Sequence, residues 1–298
     1  MENPSERKAV YMADKLRVLE LELAAARSRM NLLRMVRAGG HGHVGGALSA
    51  MDIVTALYFD IMNVDPSDPK MADRDRFLLS AGHKCLAQYA VLAERGFFDK
   101  AILDTYGHLG AKIPGHPDMY KLPGVEANTG ALGHGLSIAA GMAMAGKLDG
   151  KSYRVYAILG DGELPEGSNW EAAAAARKFK LDNLTVFLDY NGLQISGDVT
   201  KVMDMRPIDG KFQAFGWSTH VIDGNDMNEI LDVLDQIPTE PGKPNMILCK
   251  TVKAKGLSFG EGKANFHFWN ATPELLDQAE QETQALIDRL LEEKEGLA

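Results

Sequence analysis

Asp161 and Asn191 are the residues in this chain best placed to do chemistry together. Asp161 sits in Gly160-Asp161-Gly162, directly after the apolar run RVYAIL, and Asn191 follows thirty residues later, at the end of a second apolar run, LTVFLDY, with glycine after it. A carboxylate and a side-chain amide are hard oxygen donors, and with a backbone carbonyl they suit Mg²⁺ or Ca²⁺ rather than a soft metal. Mg²⁺ commonly completes its shell with phosphate oxygens and water. Gly160 and Gly162 would let backbone approach such a ligand without a Cβ clash. The helix expected after the loop points its amino end at the same place, which favours phosphate. The pattern predicts a diphosphate–metal clamp. The alternative is a turn whose Asp caps a helix, followed by an unrelated Asn-Gly turn.

A clamp needs both residues at one edge of one sheet, and the order of elements supplies this. Strands are predicted at RFLLS, Tyr153–Leu159, Leu184–Asp189, Trp217–Ile222 and Met246–Thr251, with helices near Trp170–Phe179 and Met227–Gln236 between them. Alternating strands and helices predict an α/β fold, a mostly parallel sheet with helices on both faces. Right-handed crossovers then bring the carboxyl ends of the strands to one side, where open α/β sheets bind ligands. A long helix is predicted over Ser5–Ala38, ended by Gly39-Gly40, and a final amphipathic helix over Pro273–Glu293. Ser49 and Asp52 read as a helix-starting box before IVTALYF. The run GALGHG opens the helix LSIAAGMAMAGKL, and a long irregular stretch from about Tyr106 to Thr129 reads as functional. No linker divides the chain, so residues 1–298 are expected to form one domain. Within the GALGHG-led helix, GMAMAGKL nearly spells a phosphate-binding loop. It has Leu148 where Ser or Thr is needed and no strand before it, so it reads as small-residue helix packing.

Composition narrows the classes. The chain has 298 residues, 45% hydrophobic and 24% charged, with a formal net charge of −9 and no basic stripe, so no nucleic-acid partner is expected. No stretch approaches the roughly 20 apolar residues of a membrane span. The polar start MENPSERKAV has no signal-peptide core. The two cysteines, Cys85 and Cys249, are far apart and form no CxxC, which fits a reducing cytoplasm.

Several motifs together resemble transketolase, in its amino-terminal half. They are GHVGGALSAMDI, LLSAGHK, PGHPD, TGALGHGLSIAAGMA, GDGELPEG, DYNGLQISG and the His267 region, in family order from about residue 40 to 270. The resemblance implies thiamine diphosphate and Mg²⁺ as cofactors and the diphosphate-binding fold. It implies Asp161, Asn191 and the Leu193 carbonyl as metal ligands. Gly130, Ala131 and Leu132 would meet the aminopyrimidine, although a glycine-rich helix entry explains them equally. His83 and His267 would lie near the diphosphate, and His43, His116 and His267 at the sugar's hydroxyl and carbonyl end. Imidazole can donate or accept a proton near neutral pH, as ketol chemistry requires. Protonated imidazoles would also offset diphosphate charge. His108 and His220 read as ordinary surface or core residues. His134 stands where longer transketolases carry Gln. Glu166 matches an acidic residue near the family's subunit interface, or is simply a first-turn carboxylate.

The family's pyrimidine-contacting glutamate and most of its sugar-phosphate grip belong to a second domain. The resemblance therefore implies a split enzyme: this chain binds the diphosphate, a separate pyrimidine-binding chain is its partner, and the assembly holds two of each. The small-residue faces AAGMAMAG and EAAAAA suit an interface or ordinary core packing. The expected activity is transfer of a two-carbon ketol unit between sugar phosphates, with xylulose 5-phosphate the family's usual donor. The alternatives are the α chain of a thiamine-dependent 2-oxo-acid dehydrogenase, and a cofactor-binding chain without turnover.

Overall fold

The computed structural model describes residues 4–297, with side chains from residue 12 onward. In chain order the elements are α1 (Pro4–Gly39), β1 (His41–Gly42), α2 (Val44–Ala56, running on as a π-turn to Ile61), β2 (Arg76–Leu79), α3 (Cys85–Arg95), α4 (Gly135–Leu148), β3 (Val155–Gly160), α5 (Gly167–Lys178) and β4 (Leu184–Tyr190). There follow β5 (Leu193–Gln194), β6 (Gly197–Asp198), α6 (Val199–Val202), α7 (Ile208–Ala214), β7 (Ser218–Asp223), α8 (Met227–Leu234), β8 (Asn245–Lys250), β9 (Trp269–Asn270) and α9 (Pro273–Glu295). Five strands form one sheet in the order β2-β3-β4-β8-β7, every pair parallel. The predicted strands and long helices are all present, shifted by a few residues at their ends.

Side-chain alternation explains why both faces are covered. Tyr156, Ile158, Phe187, Ile247 and Cys249 point into a core shared with α2, α3 and α8. Their neighbours Val155, Ala157, Leu159, Val186, Leu188 and Met246 point into a second core with α4, α5 and Phe212 of α7. Strands buried on both faces read as continuous apolar runs, which is how they appear in the sequence. The terminal helix α9 lies on α1, closing Leu19, Leu23 and Ala26 against Ile287 and Leu290. The segment Val44–Ile61 is long and apolar enough to cross a bilayer by length and composition, contrary to the reading of the sequence. Here it is the central core helix, and all thirteen residues of α2 are buried.

One expectation is corrected. Ser49 and Asp52 do not start a helix, because α2 begins at Val44. Both lie in its interior and are satisfied by tertiary partners. Asp52 accepts from Arg29 Nη2 (2.7 Å) and Asn225 Nδ2 (2.9 Å). Ser49 Oγ donates to Asp189 Oδ2 (2.5 Å). The glycines that open α2 serve close approach: a Cβ at Gly45 would stand 2.6 Å from the Phe266 carbonyl oxygen.

The irregular stretch lacks strands and helices between Tyr106 and His134, as expected. It is nonetheless pinned. Ile113, Leu122 and Val125 are buried in the first core. Gly115 O accepts from Cys85 Sγ (3.1 Å), and Glu126 accepts a bidentate bond from Arg74. This strap carries His116 and Gly130 across the carboxyl edge of the sheet.

At that edge a buried ion pair locks four elements together. Asp189 of β4 is fully buried and accepts from Lys84 Nζ (2.5 Å), from Ser49 of α2, and from Thr251 beyond β8. Lys84 is 2% exposed. Removing one partner of a buried pair leaves an uncompensated charge, so Lys84→Met should cost about 3–5 kcal/mol. In a double-mutant cycle with Asp189→Leu, the pair should show a coupling of about 2 kcal/mol or more, read by urea unfolding. A second test concerns α4, which touches β2 at Gly135: a Cβ there would overlap the Cβ and hydroxyl of Ser80. Gly135→Ala should destabilise by about 1–3 kcal/mol. Gly141→Ala, whose Cβ meets nothing within 4 Å, should stabilise by up to about 1 kcal/mol through helix propensity.

Candidate active site

The tips of β3 and β4 are hydrogen-bonded neighbours, with Gly160 opposite Asp189. Asp161 and Asn191 leave these tips into one cavity of about 330 Å³. The Asp161 carboxylate ties the two loops together, accepting from Gly162 N (2.7 Å) on one oxygen and from Gly192 N (2.6 Å) on the other. Burial pushes its pKa up to about 6; Lys84 pulls it down and Asp189 adds to the rise. Asn191 is held by its own loop: Oδ1 accepts from Leu193 N (3.2 Å), and Nδ2 donates to Asp189 Oδ2 (3.3 Å) and Ser49 Oγ (3.4 Å). Leu193 also lines the cavity. Asp161, Asn191 and Leu193 thus line one cavity, with the Leu193 carbonyl held by Lys253 Nζ. Among the described residues no group of three His, Cys, Asp or Glu could hold a metal alone. The donor set fits a hard divalent cation that takes its remaining ligands from a bound phosphate.

Gly160, Gly162, Gly130 and Leu132 line the same space, and Ala131 is exposed beside it. The glycines at the β3 tip also make room for protein. A Cβ at Gly162 would meet Gln194 at 3.0 Å, and one at Gly160 would meet Lys84 Nζ at 3.3 Å. Gly130 adopts φ of 144°, with His116 Cδ2 3.0 Å from where its Cβ would be.

The four predicted histidines converge. Ring centroids separate His43 from His83 by 5.5 Å, from His116 by 6.0 Å and from His267 by 5.5 Å; His83 and His267 are 5.0 Å apart. His43, His83 and His267 line the cavity, and His116 stands exposed at its rim. His108 and His220 lie outside the cluster, on an exposed loop and on β7. His134 precedes α4, with Nδ1 3.2 Å from its own loop's Leu132 carbonyl. Phe268 adds an aromatic edge, 4.9 Å from His43 and 5.3 Å from His41.

Burial favours the neutral imidazole at three of these rings. Burial, with Lys84 and His267 adding to it, pushes His83 down to about 2. Burial and Lys253 push His267 down to about 4, and His43 is lowered by burial and by His116. The cations of the site are lysines that the sequence reading passed over, Lys84 and Lys253, both 2% exposed and both lining the cavity. Lys253 Nζ donates to the Leu193 carbonyl (3.0 Å) and stands 3.4 Å from His267 Nδ1. Asp189 and Glu163 were missed too. Glu163, 2% exposed, accepts from the Ser80 hydroxyl, Gly133 N (2.8 Å) and Gly160 N (3.1 Å). The available signals were a lysine adjoining His83 and the lysine-rich KTVKAKG after β8, neither of which distinguishes a buried ammonium from a surface one.

Comparison with known proteins agrees with this geometry. Residues 22–280 match the family model described as "Transketolase, thiamine diphosphate binding domain". One of the subunits of the apulose-4-phosphate transketolase of Phocaeicola vulgatus is 42% identical over 281 residues, 94% of this chain and 100% of that one. A 6-deoxy-6-sulfo-D-fructose transketolase subunit of a Clostridium species is 44% identical over 236 residues, 79% of this chain and 86% of its own length. The crystal structure of Campylobacter jejuni transketolase superposes with a TM-score of 0.82 at 32% identity, covering 91% of this chain but 45% of that one. The chain therefore spans nearly all of the subunit relatives and about half the length of the undivided enzyme. These matches bear out transketolase over the 2-oxo-acid dehydrogenase alternative. The chain belongs to the transketolase family and carries that family's thiamine-diphosphate-binding domain.

Proposed function

We propose that this chain is the diphosphate-binding subunit of a split transketolase. It transfers a two-carbon ketol unit between sugar phosphates when joined by a chain bearing the pyrimidine-binding domain. The observation that carries this reading is the convergence of Asp161, Asn191, Leu193 and the histidine cluster on one cavity at neighbouring strand tips. Support for the split comes from relatives named as subunits and matched over 86% to 100% of their length. Residues 1–298 act as one diphosphate-binding domain. The Phocaeicola and Clostridium relatives are named for different sugars, so the sugar pair is a property of each complex. The two thiols, both buried and free, suit the cytoplasm.

Mg²⁺ would be held by the Asp161 carboxylate, the Asn191 amide oxygen and the Leu193 carbonyl. Gly162, His83 and His267 would border the diphosphate with Lys253 facing it, and the Gly130–Leu132 turn would meet the aminopyrimidine. When bound, thiamine diphosphate would supply the nucleophilic carbon that ketol transfer requires. The chain's own contribution is placement and proton handling. His43, His116 and His267 surround the sugar's carbonyl end, and the neutral rings of His43 and His267 can each both accept and donate a hydrogen bond there. Glu163 braces the loops around the cavity, accepting from Gly133 N and Gly160 N.

The partner chain covers the open side of this cavity, and two such pairs assemble about the α4–α5 face. Ala139, Ala143, Ala173 and Ala176 of that face are core residues, but Gly141, Leu148 and Phe179 stay exposed beside a cleft of about 340 Å³. Mixing the chain with its partner should therefore yield a species of two chains of each kind by light scattering. Persistence of free chains at micromolar concentration would contradict the assembly.

Asp161→Ala and Asn191→Ala should each weaken Mg²⁺-dependent thiamine diphosphate binding at least about 100-fold. Both should abolish ketol transfer in the reconstituted pair while leaving the circular dichroism spectrum unchanged. Wild-type-like calorimetric binding in either variant would remove the clamp and the function with it.

A further inference from the structure

An imidazole that handles protons is ordinarily oriented by a hydrogen bond to its second ring nitrogen. His43 has no such bond. Its side chain makes no capping bond to α2, and no other protein hydrogen bond holds it among the described residues. Rings surround it instead: Phe268 is the nearest, at 4.9 Å and 80°, followed by His83, His267 and His116. Of these, only Phe268 cannot ionise. The β1–β9 ladder puts it there. Gly42 pairs with Trp269, and one further step of that antiparallel register sets Phe268 across from His43, with both side chains on one face. Both neighbours of Phe268 are held. His267 lines the cavity, and Trp269, a buried residue, packs on Phe259 and Phe266. His41 stacks on Phe268 at 5.3 Å and 25°, and in turn meets buried Tyr106 at 6.1 Å. A column of rings thus runs from the root of the strap through Phe268 to His43. Within it His41 Nδ1 is buried without a hydrogen-bond partner, a costly state for a polar atom. Stacking, not hydrogen bonding, fixes the column.

We propose that Phe268 is the positioning residue of His43: its ring sets the plane of the imidazole and keeps water from that side. The inference rests on the sugar-facing role given to His43 in the proposed function, and it adds what holds that ring in place. Aromatic pairs favour edge-to-face geometry, so the phenyl ring resists a tilt of the imidazole. Phe268 is itself 41% exposed, so it brings little to the core and its loss tests position more than fold. Burial is the first cause that lowers His43, and His116, His41 and Lys253 add to it. Those groups, with His83 and His267, all remain when Phe268 is truncated. What changes is access of water, which raises the midpoint of His43 toward the ordinary imidazole value.

The test is the nuclear magnetic resonance titration of the His43 ring in the full chain, its signal assigned by its loss in His43→Asn. In Phe268→Ala the midpoint should rise by about half a pH unit. In the chain joined to its partner, kcat for ketol transfer should fall about tenfold with KM changed less than about twofold, as misorientation predicts. Phe268→Tyr keeps the ring and should match wild type in both. Phe268→Val, a residue at ease in extended backbone, is read like the alanine variant if that one does not fold. The inference is overturned if the ringless variant, folded by its thermal melt, leaves the His43 midpoint unchanged, or if the midpoint rises equally in Phe268→Tyr. A ring that only docks the partner gives an unchanged midpoint with weakened assembly; a plain surface ring gives it with assembly intact. The proposed function is tested separately. If the midpoint rises and ketol transfer does not change, the role given to His43 fails while its support by Phe268 stands.

Discussion

Carboxylates held away from water govern the working edge of this molecule. Asp161, Glu163 and Asp189 lie at the tips of β3 and β4 with exposures of 6%, 2% and 0%. An ionised carboxylate in such surroundings is costly unless donors surround it. The three are compensated differently. Asp189 has an ammonium and two hydroxyls. Glu163 has a hydroxyl and two backbone amides. Asp161 has two backbone amides and no cation in contact. A divalent cation at Asp161 would complete a compensation that its neighbours already possess, and the amide of Asn191 stands on the adjoining strand tip.

Compensation also explains what surrounds these groups. The ammonium of Lys84 lies too deep to serve as a mobile charge, because moving it would strand Asp189. It depresses the neighbouring His83, as does burial itself. Burial also lowers His43 and His267. The other buried ammonium, Lys253, lies against the Leu193 carbonyl.

Much of this was legible in the sequence. Continuous apolar runs placed the five strands, and the thirty residues from Asp161 to Asn191 cover the helix and strand that follow β3, which puts both residues at neighbouring carboxyl tips. The four glycine-flanked or strand-end histidines met as their loops implied. What escaped notice had non-local causes. Ser49 and Asp52 have the spacing of a helix start, yet their partners Asp189, Arg29 and Asn225 lie 23 to 173 residues away in the chain. Lys84 and Lys253 look like surface lysines because nothing local marks a buried ammonium. The short β1–β9 ladder, two residues a side, carries too little pattern to be read without its partner.

The cavity's rim bears on why a second chain is needed. Ile195 (74% exposed) and Val202 (47%) line the cavity, and Met203 (56%) and Phe268 (41%) stand near it. Apolar side chains gathered at the mouth of a charged pocket are an unfavourable arrangement in water, and they become favourable when a partner covers them. Covering them would also dry the site, strengthening each electrostatic contact at the strand tips. On the proposed assembly, docking and activation are therefore one event. The same surface that buries the rim lowers the effective dielectric around Asp161, Lys253 and the histidines, so the clamp reaches full strength only where the other half of the reaction centre is present.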